Sequence, residues 1–403
     1  MARLGRKLAR PFRFLRVREI PLERTLLGGQ AGFEARHWAQ IVGRADEHPL
    51  ALPESPHVRF LERWRTEGEA LLKPAVFAET PYARNAMEVV RHGGAYFGAR
   101  TMEGVIEHAR RFAALHDRVK SGNPEPLDLP GGVGHSSRDS LPTVHPTWTP
   151  TTFLLADGHH RLAIAWVLGR KSHPAILLEP IPTELQLLAS RVAQTSGRRE
   201  LYQPIPGVEF DAAWPLVRNC ADRFAMMRKF LEERRIAPAG LTMADFSCSY
   251  GWFVSEFAKA GFDARGFDID PVALRIGRIA YGLDPARLER GDSIAILNAG
   301  GRKYDVVLFL SILHHFAVKQ GMGTPEEILR RVDAATGRVL FLDSGEGHEV
   351  WMRKHIPAWN PEYVADLIRK NTTFKEVVPL GVDRDDAGAF AGNYGRTLFA
   401  CVR

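Results

Sequence analysis

From residue 245 to 253 the chain reads Asp-Phe-Ser-Cys-Ser-Tyr-Gly-Trp-Phe, between an apolar run and a helix-forming run. The small side chains of Ser247, Ser249 and Gly251 let the main chain turn sharply and approach a ligand closely. The helix that follows offers its first N–H groups to a carboxylate or phosphate. Seventeen residues beyond Gly251, Asp268 ends the next apolar run. An acid there can accept hydrogen bonds from both hydroxyls of a ribose. Asp292, within Arg290-Gly291-Asp292-Ser293, follows a third strand region, and Asp305 enters a fourth.

A second group lies earlier. Asp157-Gly158-His159-His160-Arg161 separates the strand-like residues 153–156 from the helical residues 162–169. Two histidines and an arginine beside the free amides of a helix start make a phosphate site one reading. The plainer one is that Asp157 caps a helix and both histidines are surface polar residues. His314 and His315 are adjacent, so they point in different directions and make a poor metal pair; no metal site is expected. Glu346, His348 and Glu349 follow the fifth strand, where they would either face a substrate or stand as solvated loop residues. Cys220, Cys248 and Cys401 are scattered and odd in number, against a disulfide framework, a thiolate zinc site or an iron–sulfur cluster.

These residues need elements to hold them. The second half alternates strands and helices: an amphipathic helix over 222–235, strands at 241–246, 263–267, 304–310, 338–342, 374–378 and 397–402, and helices between them. Asp270-Pro271, Thr324-Pro325-Glu326-Glu327 and Asn360-Pro361 are helix starts. That order implies an α/β fold, a mostly parallel sheet covered by helices, with ligands at the carboxyl ends of its strands. The first half is irregular; residues 121–152 read as loop, and residues 30–150 carry no motif that assigns a role. The expected domains are 1–200, opening with a basic arm over 1–20, and 208–403.

Residues from about 240 to 403 resemble class I S-adenosylmethionine-dependent methyltransferases. Asp245–Gly251 is similar to that family's D-x-G-x-G-x-G loop, with Ser247 and Ser249 in place of two glycines. Gly266-Phe267-Asp268-Ile269-Asp270 resembles its ribose-binding acid loop, Gly291-Asp292 its acid near the adenine amine, and residues 304–316 its fourth strand with a His-rich exit. The four motifs stand in order and cover nearly the whole family domain. The resemblance implies a Rossmann-like seven-stranded sheet and S-adenosyl-L-methionine as cofactor, bound by Asp245, Ser247, Ser249, Gly251, Asp268, Asp292 and Leu310. Residues 153–178 resemble the ParB-like and sulfiredoxin-like nucleotide-binding family, and Arg16-Val17-Arg18-Glu19-Ile20-Pro21-Leu22 its opening strand. This implies an α+β domain with a nucleotide or phosphorylated ligand held by Asp157, Gly158, His159, His160 and Arg161.

The acceptor is constrained by absences. After the fourth strand there is neither an (Asp/Asn/Ser)-Pro-Pro-aromatic turn nor a Pro-Cys nucleophile, so nucleic-acid bases are not the expected acceptor. The formal charge of +7 agrees, because residues 1–20 carry nearly all of it and the body is almost neutral. The expected reaction is methylation of a small molecule, on an oxygen of a sugar or a nucleotide-linked intermediate, with His314, His315 or His348 as base. The competing readings are a non-catalytic cofactor- or nucleotide-binding regulator and an NAD-dependent oxidoreductase, although the loop offers only Gly251 toward G-x-G-x-x-G. No apolar run is long enough for a membrane helix, and no secretory leader opens the chain, so the expected setting is cytoplasmic. Leu4, Leu8, Phe12 and Leu15 are spaced helically among the arm's arginines, which would suit an anionic membrane surface or simply a solvated tail.

Overall fold

A computed structural model describes residues 17–30, 33–44, 48–122, 141–193, 199–211, 214–318 and 323–403; the apolar and basic positions of the arm up to Arg16 lie outside them. The chain divides into two units, Met1–Thr183 and Glu184–Arg403. Among the described residues no helix is long and apolar enough to cross a membrane.

In unit 1, β1 (Val17–Pro21), β2 (Thr25–Leu27), a ribbon of β3 (Gly29–Gln30) and β4 (Phe33–Glu34), and α1 (Ala35–Ile41) precede four helices. These are α2 (Pro56–Glu67), α3 (Pro74–Ala78), α4 (Pro81–Gly93) and α5 (Met102–Lys120), and β5 (Thr143–Pro146), β6 (Phe153–Asp157), α6 (His159–Val167) and β7 (Ser172–Leu177) follow. Five strands form a mixed sheet in the order β1-β7-β5-β6-β2. The stretch read as irregular is therefore largely helical, and its starts are written in the sequence. The hydroxyls of Ser55 and Thr80 accept from Val58 N (3.1 Å) and Ala83 N (3.0 Å), each with proline next in the chain. Residues 123–140 of the expected loop lie outside the described residues, and β5 occupies part of its later end.

Unit 2 begins with α7 (Glu184–Val192), before the expected boundary, because α7 packs on α10 and Glu184 pairs with Arg275 there. Then come α8 (Ala221–Glu233), β8 (Thr242–Phe246), α9 (Trp252–Lys259), β9 (Asp263–Asp268), α10 (Pro271–Tyr281), β10 (Leu288–Arg290), α11 (Ser293–Ala299) and β11 (Tyr304–Phe309). The rest is α12 (Leu313–Ala317), α13 (Pro325–Ala335), β12 (Thr336–Leu342), α14 (Pro361–Asn371), β13 (Glu376–Val382) and β14 (Thr397–Val402). The seven strands lie in the order β10-β9-β8-β11-β12-β14-β13, and only β14 runs antiparallel to its neighbours. The chain crosses from one half of the sheet to the other between β8 and β11, which opens a crevice at their carboxyl ends. The Thr324–Glu327 capping box and the Asn360 cap both form. Apolar clusters cover the two faces: Val307, Leu340 and Ile368 in one, Val306, Phe341 and Phe257 in the other.

The core of unit 1 contains an unusual polar element. His57, His108, His159 and His160 are buried together, with His57 and His160 ring centroids 4.6 Å apart, His57 and His159 5.6 Å, and His108 and His160 5.4 Å. Tyr82 Oη lies 2.9 Å from His160 Nε2. Burial pushes His108 and His159 down to about 4, and His57 and His160 well below 6.5. The folded unit thus holds these rings neutral while the unfolded chain protonates them near 6.5, so stability is full above that pH and falls as pH drops toward 4. Each proton taken up on opening contributes about 1.4 kcal/mol per pH unit, so four give about 5. Hydrogen exchange of amides in α2, α5 and α6 between pH 6 and 5 should show that slope; one proton's worth or less would mean that the cluster does not open as a unit.

Candidate functional site

The turn after β8 has the shape its small residues foretell. Ser247 (φ 66°) and Ser249 (φ 55°) are left-handed, as glycines would be. Ser247 N and Cys248 N both donate to Phe267 O on β9, at 2.8 and 3.0 Å. Gly251 (φ 81°) starts α9, and a Cβ there would stand 2.8 Å from Leu288 Cδ2. Gly277 in α10 is tighter, since a Cβ would fall 1.9 Å from Tyr250 O. The turn is pressed between β9 and α10.

Outside β8, β9 and β11 lies a cavity of about 540 Å³. Asp245, Ser247, Asp268, Asp292 and Leu310, five of the residues singled out for a cofactor, line it. Ser249 and Gly251 act from behind: Ser249 N donates to Asp268 Oδ2 (2.8 Å), while Asp270 N donates to Oδ1 (2.9 Å). Each Asp268 oxygen keeps a lone pair for a ligand, and burial raises its pKa against the pull of those amides. Asp292 Oδ1 caps α11 by accepting from Ala295 N at 2.8 Å. Asp245 is buried, and its Oδ2 has no hydrogen-bond partner. Burial, then the charge of Asp268, raises its pKa well above the ordinary value, so a donor or cation brought by a ligand would favour its ionised form. Asp305 lies elsewhere, accepting from Thr242 N and Oγ1 (3.0 Å each) at the amino end of the strands.

Gln203, Tyr202 and Arg223 line the cavity without belonging to any motif. Gln203 Nε2 donates to Cys248 O, and its Oε1 accepts from Trp252 N, both at 3.2 Å, so it clasps the turn; Tyr202 stands beside it. Arg223 reaches the cavity from α8, with Nη1 2.9 Å from Asp343 Oδ2 and Nε 2.7 Å from Asp385 Oδ2. Burial opposes ionisation of Asp343, yet Arg223, Arg218 and Arg396 hold it down at about 2. Its other oxygen accepts from Ser311 N (2.6 Å) and Oγ (3.0 Å), which fixes the end of β11 at the cavity wall. The signal for Arg223 was faint: an arginine next to the apolar stripe of an amphipathic helix.

The histidines separate. His315 lines the cavity, whereas His314 is turned away and buried, its Nδ1 accepting from Gly345 N at 3.0 Å. Burial, reinforced by Arg396 and His315, pushes His314 down to about 2. His348 is outside the cavity lining, 2.6 Å from Tyr394 O. Glu346 and Glu349, read as substrate-facing or solvated, are neither: Glu346 accepts from Thr397 N (2.7 Å) and Glu349 pairs with Arg396 through both oxygens (2.8 Å each). In unit 1, Asp157 and Arg161 pair at 2.9 Å at the start of α6, and Gly158 has φ 102°. His159 and His160 point into the core, which corrects their reading as surface residues; His159 stacks on Trp38 at 5.2 Å.

No protein-family model matches the chain, and no curated protein matches it. Solved structures do. The bifunctional kinase-methyltransferase WbdD aligns at 20% identity over 54% of this chain and 46% of its own, with a TM-score of 0.42. The magnesium protoporphyrin IX methyltransferase ChlM from Synechocystis PCC 6803, with bound SAM, aligns at 17% over 45% and 82%, TM-score 0.32. A SAM-dependent methyltransferase from Archaeoglobus fulgidus aligns at 12% over 45% and 95%, TM-score 0.32. The chain spans about half the length of the WbdD structures it matches.

The contact between α10 and the turn is testable without a ligand. Gly277→Ala must push Tyr250 O aside, and overpacking of this kind costs about 1–3 kcal/mol. Denaturant unfolding should show that loss, and an unchanged midpoint would mean that helix and turn are not in the close contact described.

Proposed function

We propose that unit 2 binds S-adenosyl-L-methionine and transfers its methyl group to a small-molecule acceptor, on an oxygen of a sugar or nucleotide-linked intermediate. One observation carries the reading: a buried carboxylate without a partner, Asp245, and a carboxylate with free lone pairs, Asp268, face one cavity where the strand order reverses. The unmet oxygen of Asp245 fits a group bearing a positive charge, and Asp268 fits a ribose. Asp292 and Ile294 at the start of α11 would border the base, and Leu310 and Ser311 would border the reacting end.

The cofactor supplies a methyl group on a good leaving group, which leaves positioning and exclusion of water to the protein. Arg223 and Gln203 hold the wall and the turn, and Phe253, Leu310 and Phe316 keep it apolar. His315 lines the cavity, which supports assigning it, of the three histidines, to take a proton from an attacking hydroxyl. His314 is a poor base at about 2, with one ring nitrogen already engaged. The buried free cysteines accord with a reducing cytoplasmic setting, which belongs to the same proposal. So does a nucleotide or phosphorylated ligand at unit 1, with Arg161 rather than the inward-facing histidines as its charge. A nucleotide should then raise the melting temperature of the full chain, and Arg161→Ala should cancel the rise; a flat screen removes this ligand.

Calorimetry with S-adenosylmethionine should give saturable binding that Asp268→Ala weakens by about 1.5–3 kcal/mol, roughly tenfold or more. Equal affinity in the variant removes Asp268 from the site. Once an acceptor is in hand, His315→Gln should keep cofactor affinity and lower kcat about 10²–10⁴-fold, whereas His348→Gln should leave kcat alone. Normal turnover by His315→Gln would leave positioning as the whole of the catalysis.

A further inference from the structure

Three charged side chains from other elements act on Asp245 in β8: Asp268 at the end of β9, Arg223 on α8 and Asp343 just after β12. Each of the three is matched. Asp268 receives a main-chain amide on either oxygen, from Ser249 (2.8 Å) and Asp270 (2.9 Å). Arg223 is engaged by Asp343 (2.9 Å) and Asp385 (2.7 Å), and the second oxygen of Asp343 is held by Ser311. The Cys248 thiol, also near Asp245, donates to Ser249 O (3.8 Å), and burial pushes it up so that it stays uncharged. Asp245 differs from all of them. It is 2% exposed, its Oδ2 has no hydrogen-bond partner, and it lines the cavity.

A carboxylate withdrawn from water without donors loses its hydration and receives nothing in exchange. Its neighbour adds to the difficulty, because two carboxylates that share a site resist being ionised together. Such a pair holds one proton between them, and the two amides on Asp268 stabilise that partner as the anion. The proton therefore falls to Asp245. Burial and then the charge of Asp268 hold its carboxyl well above the usual carboxylate range, against the pull of Arg223. An ammonium group brought to the cavity reverses the preference, since it supplies both a charge and donors to the unmet oxygen. The O–H bond of the carboxyl then breaks and its proton passes to solvent. A ligand without that group leaves the acid as it was.

We propose that Asp245 holds a proton in the ligand-free protein and releases it when the ammonium group of the cofactor's amino-acid end arrives. The site then exchanges one cation for one proton, and this carboxyl tells a ligand with an amino-acid end from a plain nucleoside. The inference rests on the S-adenosylmethionine reading of the cavity and adds how pH governs its loading. Affinity strengthens as pH rises toward the pKa of the carboxyl in the ligand-free protein, and levels off above it.

The full chain would be titrated by calorimetry with S-adenosylhomocysteine and with 5′-methylthioadenosine, which shares its nucleoside and thioether but has no amino-acid end. Each titration would be run in PIPES and in bis-tris between about pH 5.5 and 7, below the α-amino range of about 7.7–8.0, so that the amine arrives charged. The difference in heat between the buffers counts the protons exchanged. S-adenosylhomocysteine should release about one proton at the acid end of the range, with affinity rising up to about tenfold per pH unit there. 5′-Methylthioadenosine should release almost none. Asp245→Asn, which keeps the shape of the protonated acid, should bind S-adenosylhomocysteine without release and without that slope. His315→Gln, a change of a half-buried side chain in the same wall, should keep the release and decides the matter if Asp245→Asn does not fold. A release that survives in Asp245→Asn, or is lost in His315→Gln, belongs to another group and overturns the inference. If S-adenosylhomocysteine does not bind at all, the cofactor reading fails and this inference with it. If it binds with no proton released across the range, or if both ligands release equally, this inference alone is overturned.

Discussion

Arg223 holds one of the most expensive positions in unit 2. Its guanidinium is withdrawn from water and set between Asp343, at the end of a central strand, and Asp385, near the end of the chain. Removing charges from water costs several kcal/mol each, so the arrangement persists only with close geometry and further hydrogen bonds. Both conditions are met. Asp385 accepts from the Asp222 amide (2.8 Å) as well, and so supplies the start of α8 with the cap that its own N-cap residue, Cys220, does not provide. Asp343 turns its second oxygen to Ser311. One ion cluster thereby joins α8, the middle of the sheet and the wall of the cavity, and loss of any member would leave a buried charge unmatched.

A second constraint acts on the turn after β8. Its serines accept a left-handed backbone that costs a residue with a Cβ roughly 1–2 kcal/mol each. They are held there by Phe267 O on one side and by the close passage of Gly277 on the other. Strain at a ligand-facing turn is tolerated when its surroundings leave no alternative, and the same surroundings aim the Ser249 amide at Asp268. The turn and the acid are therefore one device: the amide that orients the carboxylate belongs to the strained residue.

Unit 1 uses its polar groups in the opposite way. It encloses four neutral histidines among tyrosine and phenylalanine rings, where a carboxylate would ordinarily be needed to hold any charge. The acid nearest His159 and His160 in sequence is Asp157, and it is paired with Arg161. These imidazoles behave as polar aromatic filling, sensitive to acid because burial disfavours their protonated form.

The sequence by itself determined the alternation of strands and helices in unit 2, the capped starts at Asp270, Thr324 and Asn360, and the acids that line the cavity. Those features depend on neighbours a few residues away: periodic burial, a cap, a small residue in a sharp turn. In residues 30–150 the caps at Ser55 and Thr80 were just as local, but no motif drew attention to them. What a side chain meets across the fold was decided by tertiary structure alone. Adjacent His314 and His315 look alike in sequence; packing sends one into the core against Gly345 and the other into the cavity wall. Glu346 and Glu349 look like loop acids until Thr397 and Arg396 come round to meet them. Gln203 and Arg223 carry no local mark because their partners lie 45 to 162 residues further along the chain, and only the closed sheet brings such distances down to a hydrogen bond.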